Sequence, residues 1–495
     1  MAAEIDGVAL SIFIFFFALV TVMGFFAARW KAGPVNEHLD EWGLGGRQFG
    51  TWITWFLIGG DFYTAYTVIA VPALVYAVGA YGFFALPYTI IVYPFVFAIM
   101  PILWKVAHKN GYVTAADVVH GTYHSRGLEL VVALTGIVAT MPYIALQLIG
   151  MGVVIKAMGL SGEWPIIAAF IILALYTYSS GLRAPALIAF VKDIMIYIVV
   201  LAAVVIVPYK LGGYGAIFSA ANDAFTAKGG ATGILLKPSQ YLAYATLALG
   251  SAFAAFMYPH TLTGVFASKS ADTIRKNAIL LPAYTLLLGL IALLGYMGHA
   301  AKLKLSSPNE VVPTLFQTLF PSWFAGFAFA AIAIGALVPA AVMSIGSANL
   351  FTRNFWKAYV NPAIDPAGEA TVAKITSLVV KLGALLVILY LPTQFALDLQ
   401  LLGGLWILQT LPAVVFGLFT RWFTAPALLA GWAVGLFGGT YLAWSDGLRP
   451  LHALTFGSVS FTAYVGIIAL IANIVVAAAV NLAVASPHRV EGAEV

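Results

Sequence analysis

Asp61, Lys192, Asp193 and His260 are ionisable residues, and each stands inside a long apolar stretch. Ionisable groups in such places are costly, and they mark ion and substrate pathways. Asp61 follows two glycines in Phe56-Leu57-Ile58-Gly59-Gly60-Asp61-Phe62-Tyr63-Thr64-Ala65-Tyr66. The glycines weaken a helix where the acid occurs, and transporters use such breaks to expose backbone carbonyls and amides to ions and substrate. A paired structural carboxylate is the plainer alternative. Lys192 and Asp193 lie early in the stretch after Gly181-Leu182-Arg183. A desolvated lysine can serve as a proton carrier, or it can snorkel toward the nearby interface. Tyr258-Pro259-His260 interrupts a third stretch. The proline breaks the helix and frees a carbonyl. His260 can carry a proton or bind a carboxylate when charged, or act only as a structural donor. Asp398, Gln400, Gln409, Gln147 and Tyr143 are weaker signals, because polar side chains of this kind commonly bridge helices.

The elements that must position these residues are transmembrane helices. The 495 residues are 62% hydrophobic and only 9% charged, with mean hydropathy +0.97. A soluble domain carries roughly 25% charged residues, so this chain lacks the charge to build a water-facing surface. A bilayer core of ~30 Å needs about 20 apolar residues per helix. That length recurs near 8–28, 50–78, 82–105, 128–157, 163–181, 185–208, 240–266, 277–300, 322–350, 373–391, 395–419, 422–444 and 460–485. About thirteen spans in an all-α polytopic membrane protein are therefore expected. Glu4 and Asp6 before the first span, and Arg29 and Lys31 after it, argue for a retained helix rather than a signal peptide.

Lys and Arg set the orientation. Fifteen of the 24 fall in one set of loops, seven in the other, and Lys192 and Lys381 fall inside spans. The positive-inside rule makes the richer set cytoplasmic, placing the N-terminus outside and the C-terminus inside. The scattered positives also account for a pI of 9.1 without nucleic acid. No obligate protein partner is evident. There are no cysteines, which excludes disulfides and thiol chemistry. No metal-ligand spacing, nucleotide-binding glycine loop or nucleophile with a nearby base is present. An enzyme is thereby disfavoured, no cofactor or catalytic residue is expected, and secondary transport leads over a channel or a receptor.

Several motifs in order resemble one family. Leu44-Gly45-Gly46-Arg47, Tyr176-Thr177-Tyr178-Ser179-Ser180-Gly181-Leu182-Arg183-Ala184, Tyr258-Pro259-His260 running to Ala267-Ser268-Lys269-Ser270, and Leu350-Phe351-Thr352-Arg353-Asn354-Phe355-Trp356-Lys357 are similar to motifs of the sodium:solute symporter family. The stretch Gly59 to Thr67 followed by Val71-Pro72-Ala73-Leu74 resembles its bacterial monocarboxylate permease branch. The resemblance implies two inverted five-helix repeats, at 50–208 and 240–419. One extra helix in 1–49 precedes them, an external loop at 209–239 separates them, and further helices follow in 420–495. It also implies a site where the first and sixth core helices break, near Asp61 and Tyr258.

The departures bear on the driving ion. The resemblance matches Val338 and Pro339 to two hydroxyl residues that hold sodium in relatives, Ala189 to an acid, and Lys192 to a glutamine. A hard cation wants oxygen ligands, whereas a lysine ammonium can itself occupy the place of a monovalent cation. The expectation is a proton-coupled symporter of small monocarboxylates such as lactate, pyruvate or propionate, and possibly alanine. Asp61 and Lys192 are the expected carriers. Sodium coupling through backbone carbonyls, with Thr64 and Ser344 assisting, is the alternative. Gly60, Phe62, Tyr63, Thr64, Gln147, Tyr258, His260 and Trp406 are the expected substrate-binding residues. Half-helix N-termini would supply the positive potential a carboxylate needs.

Overall fold

The computed structural model describes residues 5–30, 38–60, 62–160, 164–229, 232–390 and 396–484. Asp61 lies outside the described residues. In chain order the helices are α1 (Gly7–Phe26), α2 (Leu39–Leu44), α3 (Thr51–Gly60), α4 (Val71–Val78), α5 (Ala85–Asn110), α6 (Ala115–Tyr123), α7 (Arg126–Ala157), α8 (Trp164–Ser180), α9 (Arg183–Leu211), α10 (Tyr214–Ala227), α11 (Tyr241–Ala255) and α12 (Pro259–Ala267). They continue with α13 (Ala271–Leu280), α14 (Pro282–Ala292), α15 (Leu294–Ala300), α16 (Val311–Leu319), α17 (Ser322–Phe351), α18 (Pro366–Tyr390), α19 (Ala396–Leu408), α20 (Ala425–Ala433), α21 (Gly439–Ser445) and α22 (Val465–Val484). Two short strands, β1 (Leu451–Phe456) and β2 (Val459–Tyr464), pair antiparallel between α21 and α22.

The polar punctuation of the chain sets many of the ends. Asp6 caps α1 by accepting from the amides of Val8 and Ala9. Thr114 and Asp117 form a reciprocal capping box on α6. Gly111 and Gly212 stop α5 and α9 in the left-handed conformation. Among the described residues, eight helical segments are long and apolar enough to cross a membrane, and α11 and α12 pass together as a pair bent by 47°. Their outer faces carry large exposed apolar side chains, among them Phe15, Val205, Leu286 and Leu482. A bilayer can solvate such a surface, and water cannot.

At the centre lies α17, buried at every residue from Ala328 through Leu350. Its run of alanines and glycines lets neighbouring backbones approach closely, as helix packing in membranes requires. A methyl group on Gly346 would lie 2.8 Å from the carbonyl carbon of Pro259 and 2.9 Å from the amide nitrogen of His260. The start of α12 is therefore pressed against α17.

The expected stretches are recognisable, with several corrections. The chain from 50 to 78 is not one helix: α3 stops at Gly60, and a π-helical turn at Tyr66–Ala70 leads into α4. The stretch expected at 277–300 begins at Ala271 and is divided into three pieces, the second starting at Pro282. The stretch expected at 395–419 ends its regular helix at Leu408, followed by a single turn at Pro412–Phe416. The segments expected as loops at 209–239 and 301–321 contain α10 and α16. The hairpin of β1 and β2 was not expected, because its alternation is short and lies beside much longer apolar runs.

Candidate functional site

The break after α3 creates the first of two neighbouring centres. A helix that stops leaves its last carbonyls without intrahelical partners and carries partial negative charge at its C-terminal end. Lys192, on α9, brings a cation to that end. Its Nζ donates to the carbonyl of Gly60 at 2.5 Å and to that of Tyr63 at 3.3 Å, and lies 3.0 Å from Oδ1 of Asp193. An ammonium has three donors, and here it faces three acceptors. Tyr284 donates to the other carboxylate oxygen of Asp193 at 2.7 Å. Lys192 and Asp193 have no exposed surface. The snorkelling reading of Lys192 is thus overturned: its stem runs inward to the break.

Aromatic rings wall this centre. The rings of Tyr63 and Tyr284 lie 4.5 Å apart and tilted by 43°, Trp55 lies 4.6 Å from Tyr284, and Tyr197 lies 5.8 Å from Tyr63. From α17, Gly335 faces the Tyr63 carbonyl: a methyl carbon there would lie 3.5 Å from that oxygen and 3.3 Å from Cδ1 of Ile196. Val338 and Pro339 continue that buried wall without a side-chain oxygen. The hydroxyl of Ser344 donates to its own helix at Ala341. An ammonium, rather than a ring of hydroxyls, meets the freed carbonyls.

Where the chain resumes, its first amides are capped. Oε1 of Gln147 accepts from Ala65 at 3.0 Å, and Oγ1 of Thr64 accepts from Tyr66 at 2.9 Å. The Thr67 hydroxyl donates to the carbonyl of Phe62. Gln147 and Thr64, expected to touch substrate, instead hold the broken helix in shape.

The second centre is a small cavity of about 20 Å³. Phe62, Tyr88, Tyr143, Tyr258, His260, Thr261 and Gln400 line it. The N-terminal end of α12 opens onto it, with Tyr258 in the N-cap position. Such an end favours anions. Nδ1 of His260 and Oε1 of Gln400 are buried without a hydrogen-bond partner. Unsatisfied buried polar atoms are uncommon and costly, so their convergence on a cavity points to a polar ligand. Tyr258 is already engaged, donating to the carbonyl of Gln400 at 2.9 Å.

The expected substrate residues therefore separate. Phe62, Tyr258 and His260 share the cavity. Gly60 and Tyr63 offer carbonyls to Lys192 on the other side of the break, and the Tyr63 hydroxyl is used by the Tyr284 carbonyl. Trp406 is not brought to either centre. Its indole donates to Thr440 at 3.0 Å, and its ring packs with Leu402, Leu405 and Ala443. Tyr284 was missed entirely, and Asp193 was seen in sequence without a role. The adjacent opposite charges of Lys192-Asp193 inside an apolar run were the available signal. An ion pair is the cheapest way to bury both.

The two ends of the bundle differ. At one end, Asn354 donates to Asp117 and Glu129, and Arg353 pairs with Glu369. Arg183 pairs with Glu41, and Trp42 donates to the carbonyl of Thr177. At the other end a wide cavity of about 660 Å³ lies between α4, α19 and the hairpin, lined by Asp398, Asp446 and Arg449.

Comparisons with known proteins agree with this architecture. The model of the sodium:solute symporter family matches residues 42–435. A monocarboxylate transport permease protein of Rhizobium johnstonii is 74% identical over 481 residues, covering 97% of this chain and 98% of that one. An uncharacterized symporter of Bacillus subtilis is 34% identical, covering 84% of each chain. Among solved structures, a Na+-coupled sialic acid symporter in a substrate-bound outward-open state is similar in fold, with TM-score 0.78 at 15% identity over 97% of this chain and 98% of that one. With its family model matched across both broken helices and its fold shared end to end, this chain belongs to the sodium:solute symporter family, whose members are transporters and not enzymes.

Proposed function

We propose that the protein imports small monocarboxylates by alternating access, with a proton rather than sodium as the coupled ion. The carrying observation is Lys192, whose ammonium sits on the carbonyls of Gly60 and Tyr63. A sodium ion there would need several oxygen ligands at short range, and Lys192 occupies that space. The Lys192–Asp193 pair can hold one exchangeable proton against the break, with Tyr284 orienting the carboxylate. Asp61 joins it as a second candidate from sequence alone. The substrate carboxylate lies at the N-terminal end of α12 beside His260, and its short aliphatic part lies among Phe62, Tyr88 and Tyr143. The name of the Rhizobium relative supports the substrate class.

The same reading takes 50–208 and 240–419 as the two inverted repeats within about thirteen spans. The end rich in Lys and Arg faces the cytoplasm of a bacterial inner membrane, and the wide cavity under the hairpin faces outward. Sodium coupling is the competing reading, favoured by the family itself and by the Na+-coupled neighbour. Uptake of labelled lactate or propionate into proteoliposomes under separate gradients decides between them. Accumulation should follow the proton gradient in sodium-free buffer. Accumulation that requires sodium and ignores the proton gradient refutes proton coupling. Displacement of label by sugars alone refutes the substrate class.

A further inference from the structure

The two ends of the bundle are unequally open. The wide cavity under the hairpin measures about 660 Å³. Toward the end rich in Lys and Arg, between α7, α12, α17 and α19, only about 20 Å³ remains, room for roughly one water. Val113, Thr263, Asn349 and Val414 are among the residues lining that remnant. The short helix α2 lies at its Asn349 corner, where the side-chain amide of Asn349 donates to the carbonyl of Gly43 at 3.3 Å.

Three consecutive residues seat α2. Glu41 pairs with Arg183 at the start of α9. The buried indole of Trp42 donates to the carbonyls of Thr177 and Tyr178 at 3.2 Å each, and the Trp42 carbonyl accepts from the amide of Leu182 at 2.9 Å. Gly43 takes the bond from Asn349 of α17, and a methyl group on Gly43 would lie 2.3 Å from Oδ1 of that residue. A helix of six residues has little stability of its own, so this seat is what holds it. Beside it a cavity of about 490 Å³, lined by Leu39, Asp40, Arg353 and Lys357 among others, leaves space into which α2 can move.

The same short helix is tied to the first broken helix. Between α2 and α3, the Phe49 amide donates to the carbonyl of Ala267 at 3.1 Å, and the Phe49 carbonyl accepts from the amide of Lys269 at 2.9 Å, both at the end of α12. The ten residues of α3 span ~15 Å. That helix carries the Phe49 tie at one end and, at the other, the Gly60 carbonyl that meets Lys192. We infer that α2 is a latch that closes the Lys- and Arg-rich end. Seated on the corner between α8 and α9 and on Asn349, it blocks that end, and a tilt of α3 lifts it off. The inference rests on the alternating-access reading above and not on which acid or ion is carried. It adds the element that must leave its place before this end can open, and joins that opening to the contact at Lys192.

A chain without cysteine accepts single thiol reporters. Thr263→Cys reports on the closed end and Val78→Cys on the wide cavity, each read as the rate of labelling by a charged maleimide in the full chain in lipid nanodiscs. Glu41→Gln removes the charge that meets Arg183. It should speed labelling at Thr263→Cys about tenfold and leave labelling at Val78→Cys equal or slower. Gly43→Ala drives a methyl group against Asn349 and should act in the same direction. Adding Asn349→Ala removes the obstruction and should undo most of that rise. Unchanged labelling at Thr263→Cys in both Glu41→Gln and Gly43→Ala overturns the latch and leaves alternating access standing. A rise at both reporters also overturns it, because the two ends would then open together. With the latch intact, saturating propionate should alter the ratio of the two rates. A ratio that ignores propionate refutes the substrate reading and leaves the latch to be decided by the variants.

Discussion

Replacing Lys192 by methionine separates the stabilising role of the lysine from the coupling role proposed for it. Methionine is flexible enough to fill the same space but has no charge. It leaves Asp193 a buried carboxylate with only the Tyr284 hydroxyl to compensate it. Removing one partner of a buried pair costs about 3–5 kcal/mol, and the carbonyls of Gly60 and Tyr63 lose bonds to a charged donor. Lys192→Met should therefore unfold at a clearly lower temperature in detergent. Adding Asp193→Asn removes the orphaned charge and should recover most of the loss, since whole buried pairs are replaced at little cost or even with gain. Coupling responds differently. A gradient of two pH units stores about 2.7 kcal/mol per proton, enough for ~100-fold accumulation at one proton per substrate. Wild type in sodium-free proteoliposomes should approach that ratio. The double variant, though stable, should reach no more than equilibration while still exchanging labelled for unlabelled substrate. If Lys192→Met with Asp193→Asn accumulates substrate under the proton gradient as wild type does, the proton-carrier assignment of the pair is wrong.

Four further substitutions probe the neighbouring geometry. Gly60→Ala would place a methyl carbon 2.7 Å from Nζ of Lys192, and should abolish coupled uptake as Lys192→Met does, read in the same gradient assay. Gln147→Leu leaves the amide of Ala65 unpaired, and should cost about 1–3 kcal/mol in thermal unfolding. His260→Ala removes a side chain whose Nδ1 has no internal partner, so it should weaken substrate binding at least tenfold while shifting the unfolding midpoint little. Trp406→Phe gives up the bond to Thr440 far from both centres, and should leave the affinity for substrate within about twofold, measured by competition binding.

The parts of this architecture legible in sequence were those governed by local chemistry. Long apolar runs give helices of the right order, Pro259 announces the start of α12, and the glycines at 59 and 60 announce the end of α3. What escaped was set by direction rather than composition. Lys192 looked close enough to Arg183 to reach water, yet the side of α9 it occupies faces the break. Gln147 and Thr64 looked like ligands for substrate because they are polar in an apolar place. The broken helix has orphan amides of its own, and these took both side chains first. Trp406 failed for a similar reason, since its indole found Thr440 on α21.

The same competition explains why two centres form rather than one. Each broken helix presents a carbonyl end and an amide end, and the two ends attract opposite charge. The carbonyl end of α3 is filled from within by Lys192, and the amides that follow are filled from within by Gln147 and Thr64. The N-terminal end of α12 receives no such internal anion: among the described residues lining its cavity there is no acid, and His260 and Gln400 keep unsatisfied atoms there. On the proposed reading this positive end receives the substrate carboxylate, and an anion entering there would not displace the ammonium, so substrate and proton would not compete for one place. Converting His260 to glutamate puts this asymmetry to the test. A resident carboxylate at the end of α12 should exclude the substrate anion, and propionate binding at pH 8 should fall at least a hundredfold with the fold intact. Unchanged affinity in His260→Glu would mean that the carboxylate is held elsewhere, and that the vacancy at α12 is not the substrate site.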